Sequence, residues 1–101
     1  MTSERQDTIS EERITKYLHT TKRALDKLSI APPEPSQLRT IAEDFLRMAR
    51  SYYLDAIHFH EKEDFINSYA AVNYAHGWLD AGARLGLFDV GGDDQLFTLS
   101  E

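Results

Sequence analysis

Apolar residues recur at helical spacing in three stretches of the chain, and the polar segments between them carry helix start and stop signals. In the first stretch Ile14, Tyr17, Leu18, Leu25 and Leu28, with Thr21 between them, return every three or four positions, the period of one helix face. Thr8-x-x-Glu11 reads as a capping box, in which a hydroxyl and a carboxylate satisfy the first free N–H groups. The spacing predicts helix one over 8–30. It stops at Ala31-Pro32-Pro33-Glu34-Pro35, because proline lacks an N–H and its ring disfavours helix in the residue before it. This connector, 31–35, is stiff, but it is not a domain boundary, since neither flank could fold alone.

Ser36 is placed to cap a second helix, predicted over 36–60. Leu38, Ala42, Phe45, Ala49, Tyr52, Ala56 and Phe59 alternate steps of four and three, the spacing of a bundle seam. Large and small side chains alternate along it, so a facing helix can interdigitate. Arg39, Glu43 and Arg47 stand four apart on the solvent side, where they can pair. Glu61-Lys62-Glu63-Asp64 forms the turn, Asp64 caps helix three over 64–86, and Gly86 terminates it. So short a link makes helices two and three antiparallel. The expected fold is all-α: a single domain over 1–101, an antiparallel up-down-up three-helix bundle with an extended C-terminal tail over 87–101. In the tail, Gly91-Gly92-Asp93-Asp94 is a flexible acidic break, and Leu96-Phe97-Thr98-Leu99 has the apolar content of a short extended segment. That segment docks on the bundle, docks on a partner, or stays without fixed structure.

Helix three is the least charged part of the chain. Between Asp64 and Asp89 only Asp80 and Arg84 are formally charged, so the helix is expected to be covered on most of its circumference. At about 100° per residue, Tyr69, Asn73, His76, Asp80 and Arg84 share an arc of roughly 80°. One reading makes this stripe the wet face of the helix, with Asp80 and Arg84 as a pair four residues apart. The other makes it a recognition or structural network. Asn, His, Asp and Tyr are weaker helix formers than the Glu, Lys and Gln usual on wet faces. Across the hairpin, Asp55 and Arg47 lie within reach of such a network. Trp78, Tyr74 and Leu85 lie opposite the stripe, and Gly77 and Ala81 on its flank. A mid-helix glycine costs about 1 kcal/mol against alanine, so Gly77 and Gly82 imply close approach by another helix. A symmetric homodimer through Tyr74, Gly77, Trp78, Ala81 and Leu85 is the preferred explanation.

Composition narrows the chemistry. A chain of 101 residues supports one modest core. The net charge of −6 and scattered basic residues argue against nucleic acid, whose affinity rests on clustered Lys and Arg. With no cysteine there are no disulfides, thiolate nucleophiles or thiolate metal sites. The N-terminus is polar and acidic, unlike a signal peptide. Residues 65–88 are long enough to span a bilayer but would bury Asn67, Asn73, His76, Asp80 and Arg84 in it. A cytoplasmic protein with no membrane partner is therefore expected. His76 and Asp80 could share a metal ion, but His58 and His60 point roughly 200° apart on a helix, and no further ligand completes a set. No metal and no cofactor are expected. The Arg13-x5-His19 spacing of helical nucleases falls on helix one of an acidic chain. No phosphate-cradling loop or nucleophile elbow is present, and the chain is not expected to be an enzyme.

The segment Tyr74-Ala75-His76-Gly77-Trp78-Leu79-Asp80-Ala81-Gly82-Ala83-Arg84-Leu85-Gly86-Leu87-Phe88-Asp89-Val90, with Asp55-Ala56, the acidic turn and Leu96-Phe97-Thr98, resembles the archaeal domain of unknown function 357 family. The resemblance covers about 36–99. It implies a small helical bundle in an archaeal cytoplasm and carries no established activity or catalytic residues. One departure is visible: the family turn commonly reads Glu-Lys-Gly-Asp, and Glu63 replaces that glycine here. If that position is left-handed, the turn is slightly strained. The expected function is a non-enzymatic helical interaction module that self-associates, or binds another protein, through helices two and three. The alternative is a small-ligand domain that takes an anionic metabolite or nucleotide on Tyr69, Asn73, His76 and Arg84.

Overall fold

The computed structural model describes residues 10–91, which fold as three helices tied at one end by a minimal antiparallel ladder. Helix α1 spans Glu11–Lys27. Its N-cap is Ser10, whose Oγ accepts the Arg13 N–H at 3.1 Å. Thr8, the expected cap, lies outside the described residues. Ile14, Tyr17, Leu18, Thr21 and Ala24 form its buried row.

The helix ends three residues earlier than its periodicity implies. Leu28 is already extended, and Ser29–Ile30 form strand β1. The reason is tertiary. After α3 the chain returns, and β2, Phe88–Asp89, pairs with β1 in the register Ser29 to Asp89 and Ile30 to Phe88. The Ala31 N–H donates to the Leu87 carbonyl at 2.9 Å and extends the ladder. Satisfying these backbone groups offsets the loss of one helical turn.

Helix α2 spans Gln37–Glu61, and Ser36 caps it by accepting the Arg39 N–H at 3.0 Å. Arg39 does more than join a solvent ladder. It pairs with Glu43 at 3.2 Å and Glu34 at 3.4 Å, and donates to the Pro32 carbonyl at 3.2 Å, clamping the proline connector onto the helix. Arg47 pairs instead with Asp44.

Helix α3 spans Phe65–Arg84, and Asp64 caps it by accepting the Asn67 N–H at 3.3 Å. In the preceding turn Glu63 has φ +62°, so the position where the resemblance implies a glycine is left-handed here. The helix stops in a Schellman motif: Leu87 N–H to Gly82 O at 2.8 Å, Gly86 N–H to Ala83 O at 3.2 Å, and φ +77° at Gly86.

The α2–α3 hairpin is the tightest pair, and α1 leans more on α3 than on α2. On α2 the fully buried positions are Ala42, Ala49 and Ala56, one per seven residues, while Phe45, Tyr52 and Phe59 are half-buried beside them. Leu38, expected in the seam, is 58% exposed. At its level α3 has already turned at Gly86, so no helix faces it. Ser68 Oγ donates to the Ala56 carbonyl at 2.7 Å across the hairpin, a buried tie between the two backbones.

One end of the core holds Ala24, Ala42, Ala49, Leu79, Leu87 and Phe88; the other holds Ile14, Tyr17, Leu18, Ala56, Ala71 and Val72. Leu87 and Phe88, expected in the tail, are thus core residues, both 4% exposed. The Phe88 ring lies where a side chain on residue 82 would be, with ring atoms 2.2 to 2.9 Å from a Cβ placed on Gly82. Glycine at 82 admits a ring of the same chain, not a second helix.

Candidate functional site

Coverage of α3 is one-sided. Ser68, Ala71, Val72, Ala75, His76, Leu79 and Gly82 are the buried positions of a 20-residue helix, and they share an arc of roughly 140° turned toward α1 and α2. The expectation that protein wraps this helix nearly all round is not met within one chain. A bare face remains, carrying Ile66, Ala70, Tyr74, Gly77 and Leu85.

The polar stripe is divided between environments. His76 is only 3% exposed and faces α1, where its Nδ1 lies 3.4 Å from the hydroxyl of fully buried Thr21. Tyr69 is half-buried and stacks on Tyr17 of α1, with centroids 5.6 Å apart and planes 25° from parallel. Asn73 is exposed and donates to the Tyr69 carbonyl at 2.8 Å. Arg84 donates through Nε to both carboxylate oxygens of Asp80 at 3.1 Å, an exposed pair on one helix. Asp55 is exposed on α2. Among the described residues, no hydrogen bond or ion pair links Asp55 or an arginine of helix two to Tyr69, His76 or Asp80. The rotation of α3 is set by its apolar rows, and that rotation turns Tyr69 and His76 toward α1 while Asn73 and Arg84 face outward. Thr21, the partner of His76, shows in the sequence only as a polar residue on an apolar helix row.

The contact surface predicted on α3 is accessible in large part. Tyr74 is 62% and Leu85 67% exposed, Gly77 is open, and Trp78 and Ala81 are half-buried. Trp78 meets Phe45 of α2 edge to face, with centroids 5.0 Å apart, and Tyr52 meets Tyr74 at 5.3 Å. Rings from both helices therefore form one continuous strip, which Ile41 extends along α2. Beyond the turns of its own helix, no atom of the described residues lies within 4 Å of where a Cβ on Gly77 would stand. Among the described residues no other element approaches this glycine.

A second feature lies on the other flank of α2, where Ile30, Glu43, Leu46, Arg47, Arg50, Ser51 and Leu54 line an open groove of about 630 Å³. Sequence periodicity centred on the α3 seam passed over it. Its signal was present in Leu46, Arg50 and Leu54, four apart on one helix row. Among the described residues no group of three or more His, Asp or Glu side chains is placed to hold a metal ion. No described helix is long and apolar enough to cross a membrane.

No curated protein and no solved structure matches the chain. The family described as "Protein of unknown function (DUF357)" matches residues 16–88. That span takes in α1 from Lys16 onward, both hairpin helices and the first residue of β2, but not the Leu96-Phe97-Thr98 segment, which also lies outside the described residues. With the match covering well over half of the chain, from within α1 to the end of α3 and beyond, the chain belongs to this family of proteins of unknown function.

Proposed function

We propose that the chain is a non-enzymatic helical interaction module that self-associates through the bare strip shared by α2 and α3. The observation that carries this reading is Gly77. It sits in the interior of α3 with open space around it, where glycine costs about 1 kcal/mol against alanine. Nothing among the described residues of the single chain compensates that cost. A backbone from a second copy packed on Tyr74, Gly77, Ala81 and Leu85 would compensate it, since glycine allows two helices to approach closely.

Size and charge support a second copy as the occupant. Two helices side by side, about 30 Å long and about 20 Å across, offer on the order of 600 Å² per subunit. That approaches the roughly 800 Å² per partner of standard interfaces and predicts a modest dimer. The Asp80–Arg84 pair on the rim carries both signs, so a two-fold axis can set each charge against its opposite.

The ligand alternative needs Tyr69, Asn73, His76 and Arg84 to converge on one anion. Their divided environments do not favour it: His76 faces Thr21 inside the bundle, while Arg84 lies outward on Asp80. Sedimentation over a dilution series tests the dimer. A monomer–dimer equilibrium in the micromolar range is expected, and Gly77→Leu should abolish it while leaving the monomer folded. A sedimentation coefficient independent of concentration, at monomer mass up to millimolar chain, refutes self-association.

A further inference from the structure

The bare row of α3 is complementary to its own reverse. Ala70, Tyr74, Gly77 and Leu85 are exposed and Ala81 is half-buried, and the five share a band roughly 80° wide. Gly77 stands at the middle of this row. Counted from it, the large residue Tyr74 comes three positions before and the small residue Ala81 four positions after. Farther out the order is exchanged: small Ala70 comes seven positions before, and large Leu85 eight after. Tyr74 is braced on one side by the Tyr52 ring at 5.3 Å, so it projects in a fixed direction. Small residues alone would name no occupant. A row whose large positions match its own small positions on reversal is what a two-fold contact between identical surfaces requires.

We infer that two copies meet antiparallel along α3, with the two-fold axis passing at Gly77. The inference rests on the self-association proposed above and fixes its register. At the helical rise, Tyr74 of one copy stands within about 1.5 Å of the level of Ala81 in the other, and Leu85 within about 1.5 Å of the level of Ala70. Each large side chain then enters the gap over a small one, as ridges enter grooves. At the axis the two Gly77 backbones approach with no side chain between them. The parallel alternative sets Tyr74 against Tyr74 and Leu85 against Leu85, and leaves Ala70 and Ala81 facing voids. It also lays two helix dipoles side by side in the same sense, which the antiparallel arrangement avoids. The two-fold keeps each flank of α3 on its own side, so Asn73, Asp80 and Arg84 of both copies line one rim outside the apolar band.

The chain has no native cysteine, so introduced thiols report which positions meet. Full chains carrying Ala70→Cys and full chains carrying Leu85→Cys, one of the two tagged for separation, are mixed and mildly oxidised. A disulfide needs Cα atoms within about 7 Å. In the antiparallel register residue 70 of one copy meets residue 85 of the other, whereas the two residues 70 stand about 21 Å apart along the helix. The mixed pair should therefore close on the order of tenfold faster than either like pair. As a second readout without thiols, Ala70→Leu and Leu85→Ala should each raise the dimer Kd on the order of tenfold, and the double variant should return to within about threefold of the parent. Like pairs closing faster than the mixed pair, or a double variant that loses the product of the two single losses, overturns the register; dimers still seen by sedimentation would then leave self-association standing without it. Monomers at every concentration would remove self-association itself, and this arrangement with it.

Discussion

The two mid-helix glycines of α3 should respond to alanine in opposite directions. At Gly77 a Cβ meets no atom within 4 Å. Alanine there restricts the unfolded chain and improves helix propensity, so the single chain should gain about 1 kcal/mol. At Gly82 the same Cβ would stand 2.2, 2.5 and 2.9 Å from three atoms of the Phe88 ring. That ring cannot step aside cheaply. Phe88 is 4% exposed, its strand is paired with β1, and Leu87 is held by its N–H to Gly82 and its carbonyl to Ala31. Overpacking of this kind costs about 1–3 kcal/mol, and expelling the ring forfeits a further 1.5–3 kcal/mol, roughly, of burial. After subtracting about 1 kcal/mol of helix propensity, Gly82→Ala should destabilise by about 3 kcal/mol. In a domain of this size 1 kcal/mol moves the melting temperature by about 4–8 °C. Calorimetry or thermal circular dichroism, at a dilution where sedimentation finds single chains, should therefore place Gly77→Ala above the parent and Gly82→Ala about 12–24 °C below it. Adding Phe88→Leu to Gly82→Ala removes the clashing ring atoms, so the double variant should lose less than the two single losses added together. Strict additivity, or a Gly82→Ala protein as stable as the parent, would falsify the assignment of Gly82 as a seat for Phe88.

Three further outcomes follow from the same geometry. Glu63→Gly relieves a left-handed non-glycine turn residue and should raise stability by about 1 kcal/mol in urea unfolding; a loss would mean the Glu63 side chain supports the turn. Ser68→Ala removes the buried hydroxyl that donates to the Ala56 carbonyl at 2.7 Å and should cost about 1–2 kcal/mol by leaving that carbonyl without its side-chain donor; an unchanged unfolding midpoint contradicts this. Burial pushes the Tyr53 hydroxyl above its ordinary value, with Asp26 adding to the rise and Lys22 opposing it. The unfolded chain then loses this proton first, so the linked stability is intact below the ordinary tyrosine range near 10 and declines as pH rises through it. Tyr53→Phe should flatten that alkaline decline in a pH series of melting temperatures, and an unaltered slope would assign the decline to other groups.

Local chemistry alone was enough to place the three helices, because the signals are short-range. Ser36 and Asp64 each cap within three residues, Gly86 supplies the left-handed stop, and the connector prolines break the chain wherever the rest goes. The alternation of Ala42, Phe45, Ala49, Tyr52 and Ala56 likewise identified the α2 face that meets α3. The accessible part of the candidate contact surface, Tyr74, Gly77 and Leu85, was legible for the same reason: apolar and small residues in a nearly uncharged helix leave a surface with little else to present.

Tertiary structure decided what depends on residues far apart in sequence. Helix α1 gives up its last predicted turn because Ser29 and Ile30 find partners at Asp89 and Phe88, a pairing that no local period announces. Phe88 leaves the presumed tail for the core because Gly82 leaves room for its ring. The polar stripe fails as one site because the roll of α3 about its axis is set by packing on two neighbours at once. An arc drawn from Asp80 fixes the relative angles of Tyr69, His76 and Arg84, but not which of them looks inward. That choice belongs to Thr21, Tyr17 and the alanine row of α2, since burying apolar surface against two helices outweighs keeping five polar side chains on one wet face.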